Sequence, residues 1–152
     1  MPDVEFYVIG PTEEEPEYYQ DCMGLVESLG LQAVFHFTGR QNVLEYYGFL
    51  DVMLLTSVRE AQPLVLLEAF CAGVPVVSTR VGNVPEMLDY DEHYLAHPKD
   101  SDALAQKVVW LRNNPVLVAQ DIDKFRRKTA QFHDKATMLT KFLDLYRSLG
   151  VP

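Results

Sequence analysis

Residues 51–79 read DVMLLTSVREAQPLVLLEAFCAGVPVVST. Asp51 to Leu55 is short and apolar after its first residue, which predicts a buried strand. Pro63 to Ala72 is apolar on nearly every face. It opens on a proline, favoured at the first helical position, and stops at Gly73, so it predicts a buried helix. Pro75 to Ser78 (PVVS) predicts the next strand. Strand, helix and strand joined by short links form a βαβ unit, and strands without polar alternation fit a parallel sheet covered on both faces.

The same alternation continues outward in both directions. Val4 to Ile9 (VEFYVI) predicts a first strand, closed by Gly10-Pro11. A helix follows Pro16 and runs to about Leu29, where Gly30 stops it. Ala33 to Phe37 (AVFHF) predicts a second strand, closed by Thr38-Gly39, and Val43 to Phe49 a short helix. Beyond the central unit, Val84 to Leu88 is a helical turn and Tyr94 to Ala96 a short fifth strand. Helices then follow: one capped by Ser101 or Asp102 and reaching about Arg112, one from Pro115 to about Phe132, and one from about Lys135 to Leu149. In the last, Phe142, Leu143, Leu145 and Tyr146 read as a core face. With no repeat, low-complexity tract or linker, residues 1–152 are expected to form one Rossmann-like, three-layer α/β/α domain with a mostly parallel sheet. Ligands bind such folds beyond the carboxyl ends of the strands. The positions concerned are 10–12, 38–40, 56–62 and 79–83.

Composition narrows the function. The chain has 152 residues, and 48% are hydrophobic, enough for a core and too many for a disordered chain. A formal net charge of -9 argues against nucleic acid or an anionic membrane as the main partner. A small anion remains compatible, because helix amides can hold one. Cys22 and Cys71 form no CxxC pair and no ligand cluster, so they are expected to be free, buried thiols of a cytoplasmic protein. No signal peptide is visible, and no apolar run approaches the roughly 20 residues that span a bilayer.

Between Ala61 and Thr79 the only charged residue is Glu68. A carboxylate in so apolar a helix must be paired, protonated or turned into a polar cleft. Gln62 offers a weak cap. Glu68 sits in the second turn, below Leu64, near the helix end that faces the ligand crevice. The amides of Leu64 and Val65 and the positive helix end suit a phosphate, and the carboxylate suits hydroxyl groups. The competing reading pairs Glu68 with Arg59 or Arg80.

Glu60 and Glu68 are separated by seven residues, and EAFCAGVPVVST continues from the second. This resembles the E-x7-E motif of retaining glycosyltransferases of the GT-B fold, whose surroundings look like PS…E-x-F-G-…-E-A-x-A-x-G-x-P-V-V. Thr56-Ser57, Glu60, Glu68-Ala69, Ala72-Gly73 and Pro75-Val76-Val77 stand in register with it. VIGP at 8–11, Phe37-Thr38-Gly39, and Val81-Gly82 with Pro85-Glu86 resemble further family segments, from Val4 to Leu88. GPTEEEPEYY, FTGR and LTSVREAQPLVLLEA resemble the Pel-type exopolysaccharide glycosyltransferases.

The resemblance implies one half of a GT-B fold, the C-terminal donor-binding domain, with the N-terminal domain, its acceptor site and a catalytic histidine missing from this chain. A basic Arg/Lys pair that the family carries after an earlier strand has no counterpart before Val4. A terminal helix of the family often reaches back toward the other domain, so part of the last helix is expected to be exposed. Glu68 would hydrogen-bond the ribose, and Glu60 would act at the donor sugar as the catalytic position. The amides of Leu64 and Val65, after Gln62, would hold the distal phosphate. Ser57 would lie beside the nucleotide, Gly39 and Arg40 would contact the base, and Gly10 would form a donor-side turn. The family's Phe-Gly before the helix is Gln62-Pro63 here, which removes one N–H donor. Its second glycine after Val81-Gly82 is Asn83, which tolerates positive φ. The donor is expected to be a UDP-sugar, the acceptor a glycan, and no metal or cofactor is expected. Association with a membrane polysaccharide-synthesis complex follows from the Pel-type resemblance. The alternatives are a non-catalytic nucleotide- or partner-binding module and a nucleotide-sugar epimerase domain.

The remaining candidates carry plainer readings. His36 reads as packing or surface, and His93, His97 and His133 have no metal-ligand spacing. Asp89, Asp91 and Glu92 lack the ligand spacing of a calcium loop. Glu13 to Glu15 form a solvated acidic turn, and Tyr18, Tyr19, Tyr46 and Tyr47 read as helix packing.

Overall fold

A computed structural model describes residues 4–150. The elements run β1 (Phe6–Ile9), α1 (Pro16–Ser28), β2 (Phe35–Gly39), α2 (Val43–Tyr47), β3 (Met53–Leu55), α3 (Leu64–Ala72), β4 (Val76–Thr79), α4 (Val84–Met87), β5 (Leu95–Ala96), α5 (Ser101–Asn113), α6 (Pro115–Phe132) and α7 (Lys135–Ser148). All predicted elements are present. β1, β3 and β5 are shorter than their apolar runs, β4 starts one residue later than PVVS indicates, and β2 two residues later than AVFHF indicates. The chain divides into two compact units, Met1–Tyr46 and Tyr47–Pro152.

In the first unit β1 and β2 pair in parallel, with Phe6 opposite Phe35 and Ile9 opposite Gly39. The Phe6 and Phe35 rings stack at 5.1 Å, and Tyr19 of α1 meets Phe37 edge-on. In the second unit β3, β4 and β5 form a parallel ladder, with Leu54 opposite Val77 and Ser78 opposite Leu95. The single sheet expected from the sequence is thus two ladders among the described strands. β4 and the two-residue β5 are buried along their whole length, while Tyr7 and Val8 of β1 and Leu54 of β3 are exposed. A continuous apolar run does not by itself distinguish a central strand from one with an open face.

The core of the second unit joins Leu66 and Phe70 of α3, Val76 and Val77 of β4, Tyr94 and Leu95 around β5, and Phe125 of α6. Phe70 and Phe125 lie 5.2 Å apart, and Tyr94 meets Phe125 edge-on at 5.7 Å. Tyr94 is fully buried, and its hydroxyl donates to Asp121 Oδ2 at 2.8 Å. Burial, with that carboxylate beside it, pushes the Tyr94 phenol above its ordinary 10.0, so it remains a donor. Tyr94→Phe leaves Asp121 without its donor and is expected to cost about 2 kcal/mol. The check is urea unfolding, in which the midpoint falls and the slope does not.

Capping corrects the sequence reading at α5. Asp100, not Ser101 or Asp102, caps α5, accepting from the Ala103 amide at 2.9 Å. Asp134 caps α7 through the Ala136 and Thr137 amides. The core face expected on α7 is also corrected: none of its residues is buried, and Phe142 is half exposed. Helical periodicity shows that a face is apolar, not that anything in the chain covers it. The thiols are not buried as expected, since Cys22 is half-buried and Cys71 exposed. No helix among the described residues is long and apolar enough to cross a membrane.

Candidate functional site

The loop at 56–63 leaves the carboxyl end of β3 and enters α3. It is held from beneath by the end of β4. Thr79 is fully buried, and its hydroxyl donates to the Ser57 carbonyl at 2.5 Å. The Asn83 amide donates to the Ala61 carbonyl at 2.8 Å. Between them Gly82, at φ 51, lies so close to the loop that a Cβ there would stand 2.3 Å from the Glu60 carbonyl oxygen and 2.5 Å from that of Ala61. Asn83 itself has φ -87, so its tolerance of positive φ is not called upon. Within the loop the Ser57 hydroxyl donates to Glu60 Oε1 at 2.7 Å, which turns the first glutamate back over its own loop.

Helix α3 starts at Leu64, with Pro63 as its N-cap rather than its first helical residue. The Pro63 carbonyl accepts from the Leu66 amide at 3.3 Å. No side chain caps the helix, so the expected Gln62 cap is absent; the Gln62 amide nitrogen instead lies 3.5 Å from His133 Nδ1. The first amides of a helix have no acceptor within it, and those of α3 belong to Leu64 and Val65. At the other end Gly73 closes the helix at φ 79.

The all-round burial expected for α3 is also corrected. Leu66, Ala69 and Phe70 are buried, whereas Leu64, Val65 and Glu68 are exposed. A nine-residue helix against one sheet buries one face, and the apolar content of the other does not alter that geometry. Glu68 is paired with neither arginine proposed for it. Arg80 reaches Glu92, and Arg59 makes no ion pair among the described residues. Its partner is the Tyr47 hydroxyl, 3.3 Å from Glu68 Oε2 and equally 3.3 Å from the Val65 carbonyl. Burial, with the Glu68 carboxylate next, pushes the Tyr47 phenol up to about 12. Tyr47 is the residue that the sequence reading missed. Nothing in the sequence separates it from Tyr46, which differs only in helical phase.

The predicted positions therefore fall in two groups. Ser57, Glu60, Gln62, Leu64, Val65 and Glu68 are gathered at the β3–α3 connection of the second unit. Gly10, Gly39 and Arg40 are gathered at the strand ends of the first, where the Gly10 amide donates to the Gly39 carbonyl at 3.0 Å and Gly39 has φ 69. Arg40 is engaged by Glu13 at 3.7 Å and by Glu14, so the acidic turn has a local cation. His36 meets Glu5, and His93 stacks on Trp110 while bonding Asp91. No group of three metal-ligating residues occurs among the described residues.

Parallel ladders, helices packed on them, and one glutamate in a strand-to-helix loop with a second in the helix it enters define a Rossmann-like α/β protein. Residues 1–114 match the family described as glycosyl transferases group 1, and the chain belongs to that family. The chain is 36% identical over 111 residues to the N-acetyl-alpha-D-glucosaminyl L-malate synthase of Bacillus anthracis, covering 72% of this chain and 28% of that protein. It is 30% identical over 142 residues to the D-inositol 3-phosphate glycosyltransferase of Saccharomonospora viridis, covering 91% and 33%. The chain thus spans about a third of the length of these relatives. Among solved structures, HepE of Anabaena in complex with UDP-glucose superposes with a TM-score of 0.90 at 21% identity, over 97% of this chain and 42% of that one. The C-terminal domain of a glycosyl transferase group 1 family protein from Francisella tularensis superposes with a TM-score of 0.74 at 23% identity, over 88% and 72%. The fold is one Rossmann-like half of the GT-B architecture.

Proposed function

We propose that this chain is the C-terminal, donor-binding domain of a retaining glycosyltransferase that moves a hexose from a UDP-sugar to a glycan acceptor. The observation that carries the reading is the exposed face of α3, where uncapped amides at Leu64 and Val65 share one side with the Glu68 carboxylate. Amides and the positive helix end suit the distal phosphate, and Glu68 suits the ribose hydroxyls one turn further on. Glu60, anchored by Ser57, is assigned to the donor sugar. Gly39 and Arg40 are assigned to the base, and Gly10 to a turn on the donor side. When the bond between sugar and diphosphate breaks, the helix end faces the charge that develops on the leaving phosphate, an electrostatic form of catalysis that protein groups can supply. The UDP and UDP-glucose bound by HepE support the uridine donor.

An N-terminal domain outside this sequence would supply the acceptor site, a reading supported by relatives of which this chain spans about a third. The Pel-type segments support a cytoplasmic enzyme of exopolysaccharide synthesis that works with a membrane complex. Calorimetric titration with UDP, UDP-glucose and GDP tests the donor reading. UDP is expected to bind more tightly than GDP, and Glu68→Ala to weaken UDP by about thirtyfold through loss of a charge-assisted hydrogen bond. Absence of binding by the folded chain, or equal binding by Glu68→Ala, overturns it.

A further inference from the structure

The Tyr47 side chain packs against the core of the second unit, so its hydroxyl sits on a fixed ring. A phenol has one proton to donate. Here it faces two oxygen acceptors at the same 3.3 Å, the Val65 carbonyl in the first turn of α3 and Glu68 Oε2 in the second, with the weaker acceptor Met53 Sδ at 4.0 Å. The ring therefore ties the carboxylate to the same helical turn whose amides are open. One bond to Oε2 leaves Glu68 Oε1 and a remaining lone pair of Oε2 for a ligand. Glu68 is otherwise a long side chain on an exposed face, and anchoring it before binding removes ordering that a ligand would otherwise impose. The phenol stays protonated throughout the neutral range, because it is pushed up to about 12.

We infer that Tyr47 is a positioning residue for ribose recognition: its hydroxyl anchors one oxygen of Glu68 so that the carboxylate is presented to the vicinal diol of the nucleotide. This rests on the donor reading above, and the test separates the two. UDP and a UDP analogue lacking both ribose hydroxyls are titrated into the wild type, Tyr47→Phe, Glu68→Ala and the double variant, with melting temperatures recorded. Tyr47→Phe keeps the ring. It is expected to weaken UDP by about tenfold, to leave the analogue unchanged, and to have no further effect in the Glu68→Ala background, where the acceptor is gone. Equal weakening of both ligands would make Tyr47 merely structural, and unchanged UDP affinity would remove its role; either overturns the inference. If Glu68→Ala still distinguishes UDP from the analogue as the wild type does, the donor reading falls, and the inference falls with it.

Discussion

Gly82→Ala is expected to destabilise the protein by about 3 kcal/mol and to lower the melting temperature by about 10 °C. Two costs add at this position. The residue sits at φ 51, a region that side-chain-bearing residues adopt only with strain. Its Cβ would stand 2.3 Å and 2.5 Å from two carbonyl oxygens of the β3–α3 loop. Those oxygens belong to backbone, so no side-chain rotation relieves the contact, and the loop must move. It cannot move freely, because Thr79 and Asn83 hold it at Ser57 and Ala61. The substitution is therefore expected to weaken UDP as well, since the loop carries Glu60 and leads into α3. Thermal unfolding and amide exchange at Asn83 provide the check. A melting temperature within about 2 °C of wild type, with Asn83 still protected, would show that the close approach is not rigid.

Phe70→Ala acts on the opposite face of the same helix. Phe70 is 2% exposed and packs at 5.2 Å from Phe125, joining α3 to α6. Truncating a buried phenylalanine costs its transfer free energy and leaves a cavity, together about 4 kcal/mol. The expected fall in melting temperature is about 12 °C. Unlike Gly82→Ala, this change leaves the exposed face of α3 and its loop in place. Donor affinity measured well below the transition is expected to stay within about threefold of wild type. A large loss of affinity in a fully folded Phe70→Ala variant would mean that core packing and the donor face are not separable.

The contrast between these faces marks how far the sequence could be read. The βαβ unit at 51–79 was legible because each of its parts is locally specified. Short apolar runs make strands, a glycine at positive φ ends a helix, and the spacing of Glu60 and Glu68 needs no tertiary information. α6 was legible for the same reason, opening at Pro115 and running to Phe132. Glu68 as the lone charge of its segment was legible too, but not its surroundings. The sequence offers two arginines as partners, whereas the structure spends Arg80 on Glu92 and sets a tyrosine beside Glu68. The apolar stripe of α7 was equally plain, and partial exposure followed from the family resemblance; only the structure shows that none of its residues is buried.

What the sequence determined by itself is therefore the order of elements, the parallel α/β class and the two glutamates at the head of one helix. Backbone preference and hydrophobic period are properties of neighbouring residues, and they survive without the fold. The tertiary structure alone decided which side of α3 meets solvent, that Tyr47, 21 residues away, touches Glu68, and that Gly82 is pressed against Glu60 and Ala61. Those are contacts between distant segments. They depend on how the chain packs, and many packings are compatible with the same local pattern.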